Sequence, residues 1–393
     1  MVFSRQLIRQ KLSFGALYVI NFAFSFHFFF TIYFNSTFLE ERGVEQSLVG
    51  LIYIIGSFLS IFGLYFAPRL FSLIGNYFSI LLFALIEGLA FLGLYAITDT
   101  FATISFFLIY SVMYPLIVVS LDIFLENCTK IEKNTGSIRG IFLTTTNIAL
   151  IVAPLIAGFV LDSYGFESIY LVAALLLVPI MFLVSMILKN FEDPVYEKLR
   201  ILPAIKELHQ RSDMRNILIL HLLLRFFFTF MVIYTPIYLH TQIGFTFSQI
   251  GMLSAIMLIP FALFEYPLGK IADTFFGEKE ILFLGFLLMI VATSTLSFIT
   301  SASFMLWAVI LFLTRTGASA VEIMTESYFF KHIDGDDADN ISVFRIMRPL
   351  GYIVGPAVGT AFLFFFDFQY IFLVIGIILL PSLLLTPRLK DSK

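Results

Sequence analysis

Twelve stretches of this sequence are long and apolar enough to cross a membrane, and that pattern decides the class of fold before any motif is considered. About 20 apolar residues, rising 1.5 Å each, cross a hydrocarbon core of about 30 Å. By that ruler the spans lie near 12–34, 47–67, 78–97, 101–126, 138–161, 167–188, 216–239, 247–268, 280–299, 303–326, 342–365 and 369–386. Hydrocarbon offers open backbone no hydrogen-bond partner, so each span is expected to be a helix and the chain an all-α membrane protein. Composition agrees: 13% of residues are charged, where a soluble domain has roughly 25%. The first run follows Arg5, Arg9 and Lys11 and is longer than the core of a signal peptide, so it reads as the first span. The fifty phenylalanines read as lipid-facing side chains rather than as the mark of an aromatic substrate. One cysteine, Cys128, excludes a disulfide framework and a cysteine metal site, and no metal or cofactor is expected.

Lys and Arg orient the spans. With the N-terminus in the cytoplasm, the cytoplasmic segments hold Arg69, Lys130, Lys133, Arg139, Lys189, Lys198, Arg200, Lys206, Arg211, Arg215, Lys270, Lys279, Lys331, Arg388, Lys390 and Lys393. The opposite loops hold Arg42 beside acids such as Glu40, Glu41, Glu45, Asp99, Asp162, Glu167 and Asp367. Both termini are therefore expected in the cytoplasm, in a multi-pass protein of the cytoplasmic (inner) membrane. The longest polar interruption separates six spans from six. It predicts an N-terminal six-helix bundle over 1–189, a cytoplasmic linker over 190–215 and a C-terminal six-helix bundle over 216–393. Ala204–Arg215 within the linker is expected to form a short surface helix.

The halves repeat. Glu41-Arg42-Gly43 through Ser47 and Gly50 matches Ile243-Gly244 through Ser248 and Gly251 at an offset of about 200. At nearly the same offset Gly75 meets Gly277, Ala153-Pro154 meets Gly355-Pro356, and Leu121–Glu126 aligns with Val321–Glu326. Six spans per half keeps both halves in one orientation, related by an axis along the membrane normal. The second half carries Gly269-Lys270-Ile271-Ala272-Asp273 followed by Gly277-Glu278-Lys279; the first-half counterpart, Ala67 to Gly75, lacks the acid. Gly351, Gly355, Pro356 and Gly359 form a Gly-x-x-x-Gly-Pro-x-x-Gly signature in span eleven, weakened in span five to Ala149, Ala153-Pro154 and Ala157-Gly158. With these motifs on this topology the chain resembles the major facilitator superfamily over nearly its whole length.

That resemblance implies two pseudo-symmetric six-helix bundles with spans 1, 4, 7 and 10 lining a central cavity. Most of the intramembrane charge lies on those spans, and such charge costs nominally about 2.5–3.5 kcal/mol per residue to insert. Asn21, His27, His221, Arg225 and Arg315 are candidate cavity residues; Asp122, Glu126, Glu322 and Glu326 are candidate proton carriers or ion-pair partners. At 100° per residue Arg315, Glu322 and Glu326 form one stripe, while Asp122 with Glu126, and His221 with Arg225, each share a face. Arg225 and Arg315 fall at matched depth near the midplane, which leaves two readings open: one arginine pairs with Glu322, or the arginines form an anion site completed by the substrate. Glu126 and Glu326 also read simply as solvated helix ends. Glu87, midway along span three, has no assignment beyond a neutral carboxyl or a contact with a neighbouring helix. The resemblance further implies a gate at Gly269, Asp273 and Gly277, in which Asp273 meets the start of span five near Ser137 and Arg139. Pro154 and Pro356 allow bending, and Gly351, Gly355 and Gly359 allow close packing; in any bundle the same residues serve plain packing.

No Gly-x-x-x-x-Gly-Lys-Ser/Thr loop is present, so ATP-driven transport is not expected of this chain. The five histidines are dispersed and the loops short, which argues against an enzyme. The expected function is secondary active transport of a small solute by alternating access, coupled to protons, as an exporter or antiporter. An organic-anion or sugar uptake symporter is the alternative, and a transporter-fold sensor or membrane-embedded enzyme the alternative class. The expected partners are a small-molecule substrate, protons and the lipid bilayer, without nucleic acid, and the chain is expected to be a monomer.

Overall fold

The structure, a computed structural model, describes residues 2–129, 135–189, 191, 193, 201–272, 277–333 and 338–390, without the side chains of 2–13, 126–129, 135–140, 201, 265, 266, 338 and 339. Among the described residues there is helix and no strand. The helices are α1 (Val2–Ile32), α2 (Asn35–Glu41), α3 (Gln46–Ile74), α4 (Asn76–Ala96), α5 (Thr100–Thr129), α6 (Thr135–Tyr164), α7 (Phe166–Ile187), α8 (Ile201–Gln210), α9 (Ser212–Thr241), α10 (Phe247–Ile271), α11 (Glu278–Leu296), α12 (Phe304–Lys331), α13 (Ala338–Leu363), α14 (Ile371–Leu379) and α15 (Pro381–Leu385). Twelve segments are long and apolar enough to cross a membrane, at the places the hydropathy pattern predicts. Three details differ. The surface helix α8 starts earlier than expected, at Ile201, and Ser212–Arg215 belong to α9. The last span is broken, because Pro381 has no N–H to continue the ladder of α14. And α2 is an additional short helix after span one, its residues Asn35 to Leu39 all buried.

The chain divides into two compact units, one of Met1–Val44 with Ile55–Glu197 and one of Glu45–Ile54 with Lys198–Lys393. Each has its own core. In the first, α1 packs on α6 and α7, and α4 on α5 and α7. In the second, α9 packs on α13 and α14, and α11 on α12 and α14. Counted as spans, the first set pairs 1 with 5 and 6 and 3 with 4 and 6; the second repeats it at 7, 11 and 12 and at 9, 10 and 12. The backbone repeats too. Gly43 and Gly244 have φ +86° and +81°, and Gly75 and Gly277 have +79° and +84°. A left-handed turn at those two places in each half calls for a residue without Cβ, so the glycine landmarks of the repeat are set by geometry rather than composition.

Packing and solvation follow from the same residue pattern. Inward faces are closely filled: a methyl on Gly285 would lie 3.0 Å from the Gly317 carbonyl, so α11 and α12 cross at mutual glycines. Outward faces carry Phe62, Leu73 and Phe101 at 63%, 79% and 78% exposure, an apolar surface suited to lipid rather than water. Two helix starts are capped by side chains, one local and one distant in sequence. Thr246 and Gln249 form a reciprocal capping box on α10, and Asp193 accepts from the Asn76 N–H at 2.8 Å to cap α4.

A cap of polar contacts holds one end of the first unit. Arg42 pairs with Glu167 at 2.9 Å, and the Thr100 hydroxyl donates to the Arg42 carbonyl at 2.7 Å. Beside them, burial and then the Glu41 charge push the Glu40 carboxyl up to about 7 from its ordinary 4.5. Its Oε2 has no hydrogen-bond partner among the described residues. The folded protein thus keeps a proton that the unfolded chain releases near 4.5, so stability falls as pH rises from there to about 7. Glu40→Gln is expected to flatten that fall in melting temperature across the same window. A slope unchanged from the parent contradicts the assignment.

Candidate functional site

Polar side chains inside a membrane bundle need partners, and the second unit gathers several at one place. Helix α9 supplies His221 and Arg225 one turn apart; α12 supplies Glu322 and Glu326 one turn apart. Arg225 bridges both acids, its guanidinium nitrogens 2.9 Å from Glu322 and 3.7 Å from Glu326. Its Nε donates to His221 Nε2 at 3.1 Å, while His221 Nδ1 meets the Thr325 hydroxyl at 3.2 Å and its ring stacks on Phe344. Because that Nε2 accepts, the imidazole is neutral, with its proton on Nδ1 toward Thr325. The pair is neither sealed nor freely solvated, with side chains 16% exposed for Arg225 and 21% for Glu322.

The glycine signature explains how Arg225 is placed. A methyl on Gly351 would come within 2.8 Å of the Arg225 backbone, and one on Gly355 within 3.3 Å of Thr229. Gly359 takes the Tyr234 ring, whose hydroxyl donates to the Pro356 carbonyl at 3.3 Å. The glycine face of α13 therefore lies directly on α9. On the same helix Tyr352 lies within electrostatic reach of Arg225, Arg315 and Arg348, and Glu326 within that of Arg345. Arg315, 1% exposed on α12, sets its guanidinium 5.2 and 5.3 Å from the rings of Phe227 and Phe228. The second of those rings also lies 5.6 Å from the Arg225 guanidinium.

The sequence reasoning missed Arg345, Arg348 and Tyr352. The signal was available, since two cations three residues apart interrupt span eleven, but attention stayed on spans 1, 4, 7 and 10.

In the first unit the predicted residues lie apart from one another. Asn21 is 4% exposed and donates to the Phe142 carbonyl and the Thr145 and Thr146 hydroxyls of α6, each at 2.9 Å. His27 is fully buried, and Nε2 lies 3.2 Å from Glu87, equally buried on α4. Phe24, Phe91 and Tyr114 meet the imidazole edge-on. Glu87 thereby gains a neighbour: its carboxyl lies beside the His27 imidazole, and neither group has a hydrogen-bond partner among the described residues. Further along α1 and α2, Tyr170 donates to Asn35 Oδ1 and Asn35 Nδ2 donates to Tyr110. Asp122 is half-buried on α5, and Pro154 sits in α6 between the fully buried Ala153 and Ala157. Of the gate, Gly269 lies in the last turn of α10 beside Ile323, and Gly277 is the N-cap of α11. Asp273 and the side chains of Glu126 and Arg139 lie outside the described residues. No group of three or more His, Cys, Asp and Glu side chains that could hold a metal occurs among the described residues.

Comparison with known proteins bears on the whole arrangement. The sequence profile described as Major Facilitator Superfamily matches residues 17–246 and 217–392. No curated protein matches the sequence. Among solved structures, the nucleoside transporter NupG superposes with a TM-score of 0.77 at 13% identity, covering 96% of this chain and 98% of that one. An auto-inhibited POT family peptide transporter gives 0.76 at 12%, covering 97% and 98%. A bacterial homolog of the human lysosomal transporter Spinster, inward-facing and unoccupied, gives 0.75 at 12%, covering 96% of each.

Proposed function

Because the chain belongs to the major facilitator superfamily, and is therefore a multi-pass membrane transporter, we propose that it moves a small solute by secondary active, alternating-access transport, binding it at the α9, α12 and α13 cluster. The observation that carries this reading is the ion pair of Arg225 with Glu322, partly exposed within a cluster of polar side chains in a mostly apolar bundle. A pair kept only for stability gains by being sealed and fully hydrogen-bonded; one that must exchange partners needs access to water. Glu322 and Glu326 are the groups we assign to proton coupling, because both already share one arginine and either can leave it. The distribution of Lys and Arg supports a cytoplasmic-membrane protein with both termini in the cytoplasm.

Alternating access is tested without knowing the solute. In a Cys128→Ser background, Tyr352→Cys is expected to react with a membrane-impermeant maleimide in right-side-out and in inverted vesicles alike, with no ion current. Reaction from one face alone makes the site that of a sensor or a one-sided binder and contradicts the reading.

A further inference from the structure

The interior of the first unit presses two ionisable side chains together in an aromatic enclosure. His27 of α1 and Glu87 of α4 are both fully buried, with Nε2 and Oε2 3.2 Å apart. Neither ring nitrogen and neither carboxyl oxygen has a hydrogen-bond partner among the described residues. Phe24, Phe91 and Tyr114 meet the imidazole edge-on. The other ionisable groups described around the pair are tyrosines. Tyr114 and Tyr110 come from α5, the second within electrostatic reach of Glu87. From α7, Tyr170 meets the Phe91 ring and joins Tyr110 through Asn35. On the α6 side stand the neutral hydroxyls of Thr145 and Thr146, which Asn21 engages. A phenol is neutral near pH 7, so none of the tyrosines brings a counter-charge.

The number of protons on the pair decides what such an enclosure accepts. Without a proton it is an imidazole facing a carboxylate, a buried net negative charge. With two it is an imidazolium facing a carboxylic acid, a buried net positive charge. With one it is neutral overall, whichever group carries the proton. A net charge with nothing to answer it is costly in so dry a place, and a neutral pair is not. We propose that His27 and Glu87 together form a proton-binding site of the first unit, holding one exchangeable proton between imidazole and carboxyl. A proton suits the place, because it needs no coordination shell and its transfer between Nε2 and Oε2 leaves the net charge unchanged. Loading takes one proton from water onto the pair. Unloading returns it and leaves a bare carboxylate, a state that calls for water at the contact of α1 with α4. Proton release is thereby tied to hydration of that contact. The site shares no residue with the α9, α12 and α13 cluster, so each stands or falls without the other.

Infrared spectroscopy and histidine-selective nitrogen NMR of the full chain in detergent micelles at neutral pH test this. The signals of the two groups are assigned by difference against a variant carrying both His27→Gln and Glu87→Gln, in which a neutral amide replaces each group. The parent is expected to show a protonated-carboxyl band of Glu87, an imidazolium resonance of His27, or fractions of both that sum to one proton. Transfer to heavy water is expected to shift that signal, because the proton exchanges. In His27→Gln alone the carboxyl band is expected at full intensity, and in Glu87→Gln alone His27 is expected to be a neutral imidazole. Either single variant assigns its own group even where the other does not fold. A parent with a carboxylate beside a neutral imidazole holds no proton and overturns the proposal. A carboxylic acid beside an imidazolium, each at full intensity, holds two and overturns it as well. A signal that stays unshifted after prolonged incubation in heavy water marks a sealed, purely structural pair, which also contradicts it.

Discussion

His27→Leu and Glu87→Leu are each expected to destabilise the protein by about 3–5 kcal/mol, and the double variant to recover most of that loss. Both side chains are fully buried and 3.2 Å apart. Aromatic rings of Phe24, Phe91 and Tyr114 surround the imidazole. Removing one partner leaves the other's ionisable group in an apolar enclosure with nothing to answer it. Removing both replaces the pair with hydrocarbon, which such sites accept at little cost or with a gain. The melting temperatures of the four detergent-purified proteins decide the matter. Losses that simply add in the double variant mean that the two groups are not coupled, and harmless single substitutions mean that the pair is not formed.

How much of this was legible in the sequence depends on the range of the interaction concerned. Span positions follow from hydropathy over windows of about 20 residues, a local property, and the structure reproduces them. The internal repeat was legible because its landmarks, Gly43 with Gly244 and Gly75 with Gly277, sit where only a residue without Cβ adopts the required φ with ease. Helix α2 was not legible: the hydropathy ruler ends the first span at residue 34 and places no element after it, yet Asn35, Ser36 and Thr37 are all buried, and Asn35 is held by Tyr110 and Tyr170 from two distant helices. Partner choice has the same character. Glu87 was flagged by the cost of intramembrane charge, but naming His27 as its partner requires knowing how α1 and α4 are rotated within the bundle. Arg225 with Glu322 could be stated as one of two readings, because depth along a helix is readable while azimuth between helices is not. The glycines of α13 were seen as a packing motif; that they lay α13 on Arg225 and Thr229 of α9, with Tyr352 within electrostatic reach of Arg225, is a fact of the helix crossing.

Arg225 is the residue on which the functional account depends most. It is the only one of the cluster's arginines that touches His221, Glu322 and Glu326 together among the contacts described. Arg225→Gln removes the cation from all three, and solute exchange is expected to fall by about a hundredfold or more, the scale of a lost hydrogen bond to a charged group of about 3 kcal/mol. Arg225→Lys keeps the charge but loses the planar fork, so partial activity is expected. The most direct measurement is counterflow in proteoliposomes, preloaded in turn with a sugar, a nucleoside, a dipeptide or an organic acid and challenged with a trace of the same labelled compound. The account predicts transient accumulation of at least one label by the parent protein, weak accumulation by Arg225→Lys and none by Arg225→Gln. A parent that accumulates none of them, or an Arg225→Gln protein that exchanges as fast as the parent, contradicts it.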